Sequence, residues 1–126
     1  MTRAAALVID DDDTYRELVC LLMEDMGVTA LQAATCRAGL EVLARERVRL
    51  VLVDYFMPGM EPARCIAEVR RAAPPGAWVV LVTAAEDPQA RAEAVGLPRW
   101  LAKPFGVQEL LDLVREAVAD DDGASP

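Results

Sequence analysis

The chain has 126 residues, of which 54% are hydrophobic, and a formal net charge of −8. That length suits one domain able to bury a core without staples, and no apolar run reaches the roughly 18–20 residues of a membrane span. The acidic balance argues against direct binding of nucleic acid, and the absence of histidine removes zinc–imidazole sites and Ser-His or Cys-His nucleophile pairs.

Ala5 to Ile9 is an apolar run of strand length, preceded by too little basic or apolar sequence for a secretory signal. The chain therefore reads as soluble and cytoplasmic, with no membrane partner. The acids Asp10 to Asp13 follow. Tyr15, Leu18, Val19, Leu22 and Met26 then recur at helical spacing up to a stop at Gly27. Val28 to Ala33 alternates weakly, as an edge strand does. Thr35 suits a helix cap, with Leu40, Leu43 and Ala44 facing inward.

Leu50 to Val53 is a continuous apolar strand that delivers Asp54, and Pro58-Gly59 then break the chain. Glu61-Pro62 opens a helix with a buried stripe of Ile66, Val69 and Ala73, stopped by Pro74, Pro75 and Gly76. Trp78 to Val82 is another buried strand and ends on Thr83. Ala84 to Val95 reads as a short, weakly amphipathic helix. Arg99 to Ala102 is a last strand, ending on Lys103. Val107, Leu110, Leu111, Val114 and Val118 stripe the final helix. Residues 1–119 thus form one domain, and the acidic stretch 120–126 reads as a disordered tail or linker stub. Cys20, Cys36 and Cys65 lack C-x-x-C spacing and lie in helical patterns, which reads as three small hydrophobes.

Five strands alternating with five helices predict an α/β, doubly wound, five-stranded parallel sheet. In such sheets ligands gather beyond the carboxyl ends of the strands, where strand order reverses. With order 2-1-3-4-5, Asp10, Asp11 and Asp54 converge there, and three carboxylates in one crevice call for a hard cation such as Mg²⁺. Thr83 and Lys103, the one lysine among thirteen basic residues, end the next two strands. The set makes a phosphoryl-transfer site with a carboxylate nucleophile.

VIDDDD, LVLVDYFMPGM, VVLVTA and WLAKPF occur in this order. With them the chain resembles the receiver domains of two-component response regulators, chemotaxis regulators among them, over about residues 4 to 119. The resemblance implies the flavodoxin-like (βα)5 fold and a signalling phosphoacceptor that catalyses only its own phosphorylation and dephosphorylation. Asp54 would take its phosphoryl group from a sensor histidine kinase or a histidine phosphotransfer protein. Mg²⁺ would be held by Asp10, Asp11, Asp54 and the Phe56 backbone carbonyl, with Thr83 and Lys103 on the phosphoryl oxygens. Thr83 and Trp100 would form the switch toward a downstream protein or effector domain, and the Lys103-Pro104 bond would be cis.

Some features depart from that pattern. The stretch from Thr83 to Gly96 is about two residues short, Glu61-Pro62 replaces the usual Asp-Gly, and Trp100 is larger than the usual switch aromatic. Phe56 and Ala85 fall where the family tunes phosphoryl lifetime, and a bulky Phe56 suggests slow self-dephosphorylation. Two other readings compete: a pseudo-receiver that binds partners without phosphate, and a haloacid-dehalogenase-like phosphatase. In the second, the motif in ALVIDDDDT would make Asp10 the nucleophile and Asp12 the acid/base.

Overall fold

In the computed structural model of the protein, residues 4–123 are described, with side chains as far as residue 119. The elements run β1 (Ala5–Ile9), α1 (Asp13–Asp25), β2 (Thr29–Ala33), α2 (Cys36–Arg45), β3 (Leu50–Asp54), α3 (Pro62–Ala72), β4 (Trp78–Thr83), α4 (Pro88–Ala94), β5 (Arg99–Ala102) and α5 (Val107–Gly123). All strand pairs are parallel and the order is β2-β1-β3-β4-β5, as the sequence predicts. The expected acidic tail falls on the end of α5 and beyond it, and residues 124–126 lie outside the described residues.

The sheet separates two apolar layers. Alternate side chains of β1 and β3 point opposite ways, so Ala6, Val8, Leu50 and Leu52 pack with Val19 and Met23 of α1 and Leu110, Val114 and Ala117 of α5. Leu7, Ile9, Val51 and Val53 pack with Leu43 of α2, Ile66 and Val69 of α3, and Ala92 of α4. Burial on both faces explains why β3 and β4 are apolar throughout. Gly39 lets α2 lie directly on the sheet, since a Cβ there would come within 2.5 Å of the Ile9 side chain.

Several local expectations are corrected. Leu18 does not face inward. It is exposed, because the stripe of α1 turned to the sheet is Val19, Cys20 and Met23. On α2 the buried positions are Cys36, Gly39 and Leu43, which leaves Ala44 exposed. Val107 is exposed at the start of α5, where the helix has not yet reached the sheet. Cys36 and Cys65 are not separate hydrophobes: they form a disulfide between α2 and α3, with Cα atoms 6.0 Å apart. Cys20 is a buried free thiol.

Candidate phosphoryl-transfer site

Each functional side chain sits where a strand ends. Asp10 directly follows β1, and its carboxylate is fixed by local contacts. The Asp12 amide donates to Asp10 Oδ1 at 2.9 Å, and Arg16 Nη1 donates to the Asp10 carbonyl at 2.7 Å. Asp54 is the last residue of β3, placed beside Val82 of β4 by strand register. Both carboxylates are buried, while Asp11 is open to solvent. One carboxylate oxygen from each of Asp10, Asp11 and Asp54 lies within 4.8 Å of the others. The three acids that the sequence places together do meet.

Lys103 closes the site from the far side. Its backbone is tied to β4 by donation from the Lys103 amide to the Thr83 carbonyl at 2.8 Å, and the Lys103-Pro104 bond is cis. Its Nζ lies 2.8 Å from Asp10 Oδ2 and 3.5 Å from Asp54 Oδ1. Tyr15 of α1 backs the ammonium with its ring face, 4.6 Å from Nζ, and packs edge-on against Phe105. Thr83 is fully buried at the end of β4, where the Ala85 amide donates to its Oγ1 at 3.0 Å. That bond uses one acceptor lone pair and leaves the hydroxyl hydrogen free to donate elsewhere.

Opposing effects set the charge of Asp54. Burial is the largest and disfavours the carboxylate, Lys103 favours it, and Asp10 and Asp11 oppose it. The balance raises its pKa to about 6. For Lys103 burial works against the ammonium, but the hydrogen bond to Asp10 and the charge of Asp54 outweigh it, so its pKa is raised. The site thus combines a buried carboxylate, a paired lysine and a donor set of hard oxygens, which suits Mg²⁺ rather than a soft metal.

Tyr55 and Arg91, unremarked in the sequence, join Phe56 on the rim. Phe56 and Tyr55 follow Asp54 and pack edge-on, with ring centroids 4.9 Å apart. Arg91 of α4 reaches across to both, donating to Tyr55 Oη at 3.0 Å and lying 4.8 Å and 5.7 Å from the two ring centroids. Trp100 lies on β5 beside Leu81 and is 37% exposed. Asp12, required as the acid/base in the phosphatase reading, caps α1 instead, accepting from the Tyr15 amide.

The sequence profile of the response regulator receiver domain matches residues 6–115. The chain belongs to this receiver family. The receiver is 37% identical over 115 residues to the response regulator protein FleR of Pseudomonas aeruginosa, covering 88% of this chain but 24% of FleR. It is 32% identical over 114 residues to an uncharacterized 14.6 kDa protein of Leptolyngbya boryana, covering 87% of this chain and 86% of that one. Its fold matches a CheY-like receiver domain from Methanospirillum hungatei with a TM-score of 0.84, at 23% identity, over 98% of this chain and 100% of that one. It is thus a receiver domain of the two-component response regulators, a family that works with histidine kinases and downstream effectors. Among the described residues no helix is long and apolar enough to cross a membrane.

Proposed function

We propose that this receiver accepts a phosphoryl group on Asp54 from the phosphohistidine of a histidine kinase or phosphotransfer protein in the cytoplasm, and so switches a protein-binding surface. The observation that carries this reading is the buried Asp54 carboxylate, grouped with Asp10 and Asp11 and tied to Lys103. A strand-end aspartate with only a capping role needs neither the other two acids nor a half-buried lysine paired with it.

The transfer is a displacement at phosphorus. An Asp54 oxygen attacks, the P–N bond to the donor imidazole breaks, and the imidazole leaves with the bonding electrons and takes up a proton. With its pKa at about 6, Asp54 is mostly ionised at neutral pH and needs no separate base. Asp10, Asp11, Asp54 and the Phe56 carbonyl are the proposed ligands of Mg²⁺, which when bound neutralises charge on the phosphoryl oxygens. Lys103 turns from Asp54 to an equatorial oxygen, and the Thr83 hydroxyl donates to another. The product carries roughly −1.5 to −2 charges where Asp54 carried one, which draws Thr83 and the adjoining β4–α4 segment toward it. Trp100, beside that segment on β5, is the candidate reporter to a partner.

In the test, the intact protein is mixed with Mg²⁺ and acetyl phosphate and weighed. One phosphoryl group should be added, none with EDTA present and none on Asp54→Asn. A folded, Mg²⁺-supplied wild type that gains no mass would overturn the proposal in favour of a phosphate-independent interaction module.

A further inference from the structure

We propose that the Cys36–Cys65 pair is a thiol–disulfide exchange site, served by a small anionic thiol such as glutathione, whose oxidation state tunes the Asp54 site. The coupling to Asp54 rests on the phosphoacceptor reading above.

The bond joins two elements that both arise at the functional end of the sheet. Cys36 is the first residue of α2, three residues beyond β2, and Cys65 lies in the first turns of α3. Residues 55–64 thus form a segment held at one end by Asp54 in β3 and at the other by a covalent tie. That segment contains Phe56, whose carbonyl is a proposed ligand, and Gly59, whose φ of +98° only glycine adopts readily.

A cavity adjoins Cys36 on the side of this same segment. A surface cavity of about 240 Å³ is lined by Thr35, Cys36 and Arg37 on one side and by Pro58, Gly59 and Met60 on the other. Cys36, itself 3% exposed, is the bonded cysteine on this cavity wall, so a thiolate entering here meets its sulfur before that of Cys65, and the Arg37 guanidinium favours an anionic reductant there. A first thiolate attacks Cys36 Sγ, giving a mixed disulfide and releasing Cys65 as its thiolate, which takes up a proton. A second thiolate then attacks the reductant's sulfur and releases Cys36. Two reductant thiols supply two electrons and two protons and leave as their disulfide. Oxidation by the disulfide form of the same reductant reverses the sequence. Cys20 takes no part, because burial pushes its thiol up to about 11 and keeps it protonated.

Reduction acts unequally on the two helices. Two thiols cannot approach as closely as bonded sulfurs, so the helix starts must part. Both helices are seated on the sheet, α2 through Gly39 on Ile9 and α3 through buried Ile66 and Val69, but two residues link β2 to α2 whereas seven link β3 to α3. The displacement therefore falls on the longer link and the start of α3, where Phe56, Pro58 and Gly59 are exposed. The oxidised form presents an ordered Phe56 carbonyl and the reduced form a looser one. Loss of such positioning typically weakens metal binding about tenfold or more.

The full chain is equilibrated with oxidised glutathione or with reduced glutathione, and free thiols are counted by alkylation and mass. Mg²⁺ affinity is measured by calorimetry and Asp54 labelling with acetyl phosphate on both samples, and on the Cys36→Ser/Cys65→Ser variant under both conditions. The proposal expects one reactive thiol in the oxidised, denatured protein and three after reduction. It also expects about tenfold weaker Mg²⁺ binding and slower labelling in the reduced form, with the double variant matching the reduced form under both conditions. Three thiols in both wild-type samples overturn it, as do equal Mg²⁺ affinity and equal labelling in the two wild-type forms, even if the variant fails to fold. If neither form binds Mg²⁺ or takes a phosphoryl group, the phosphoacceptor reading falls and this coupling falls with it. Labelling that is present but insensitive to redox state sinks the coupling alone.

Discussion

At Asp54 the native fold works against the charge that the chemistry requires. A carboxyl whose pKa rises from 3.8 to about 6 on folding binds more protons in the native state than in the unfolded state between those two values. Stability of the metal-free protein therefore falls as pH rises through this window, by on the order of 3 kcal/mol for this one group. Thermal unfolding without Mg²⁺ should show that slope between about pH 4 and pH 6, and Asp54→Asn should remove most of it. A wild type and variant with parallel pH profiles would contradict the assignment. Lys103 is the counterweight, held 2.8 Å from Asp10 and 3.5 Å from Asp54. Lys103→Met should destabilise the metal-free protein by about 3 kcal/mol, as expected when one partner of a buried ion pair is removed. It should also slow phosphorylation about 100-fold, a typical loss for one charge-stabilising donor. Unfolding curves and labelling rates check both, and a variant with native labelling would remove Lys103 from the site. These residues were legible because parallel sheets gather reactive groups at strand ends, and because one lysine stands out among twelve arginines. The partner choice was not, since the contacts from Asp12 and Arg16 that orient Asp10 depend on where α1 begins.

Among the elements, α4 is the shortest helix. It has seven residues, with Pro88 in its first turn, Asp87 capping it and Ala92 as its buried residue. The shortened spacing after Thr83 and the early proline made this readable. What they could not convey is how such a helix is anchored. Arg91 fastens it to Tyr55 and Phe56, residues distant in sequence that meet it only once β3 and β4 are adjacent. The same contact fixes the Phe56 ring two residues after Asp54. We expect Phe56→Asn to shorten the phosphoryl lifetime about tenfold by admitting water, and Arg91→Ala to shorten it less. Combining the two should add little beyond Phe56→Asn, because they act on one ring. Decay of the label after donor removal measures this, and unchanged decay in Phe56→Asn would show that the ring is no barrier. Helix faces were less legible than strands. A helix laid on a sheet buries a narrow stripe, and apolar residues flanking it, such as Leu18 and Val107, remain outside despite fitting the period. The disulfide was hidden for a related reason: Cys36 and Cys65 are 29 residues apart and become neighbours only when α2 and α3 share one face of the sheet.

Over the whole molecule, the buried site and the outer face connect along β4 and β5. Thr83 is fully buried, its carbonyl accepts from Lys103, and Trp100 stands partly exposed two residues before Ala102, the register partner of Thr83. Phosphorylation that pulls Thr83 inward should change the surroundings of Trp100 more than those of the buried Trp78. Fluorescence of a Trp78→Phe variant should therefore shift on labelling, and the shift should vanish with Asp54→Asn. An unchanged spectrum in a fully labelled sample would place the output elsewhere. The fold was readable from five strands alternating with five helices, and the doubly wound order that this pattern predicts sets β1 beside β3, which brings Asp10 and Asp54 together. The central claim is that Asp54 carries the phosphoryl group, and locating the group tests it most directly. The protein is treated with Mg²⁺ and acetyl phosphate, the acyl phosphate is reduced with borohydride, and the peptides are sequenced by tandem mass spectrometry. The account predicts conversion of Asp54 to homoserine and of no other aspartate. Conversion of Asp10 or Asp11 in its place would contradict it.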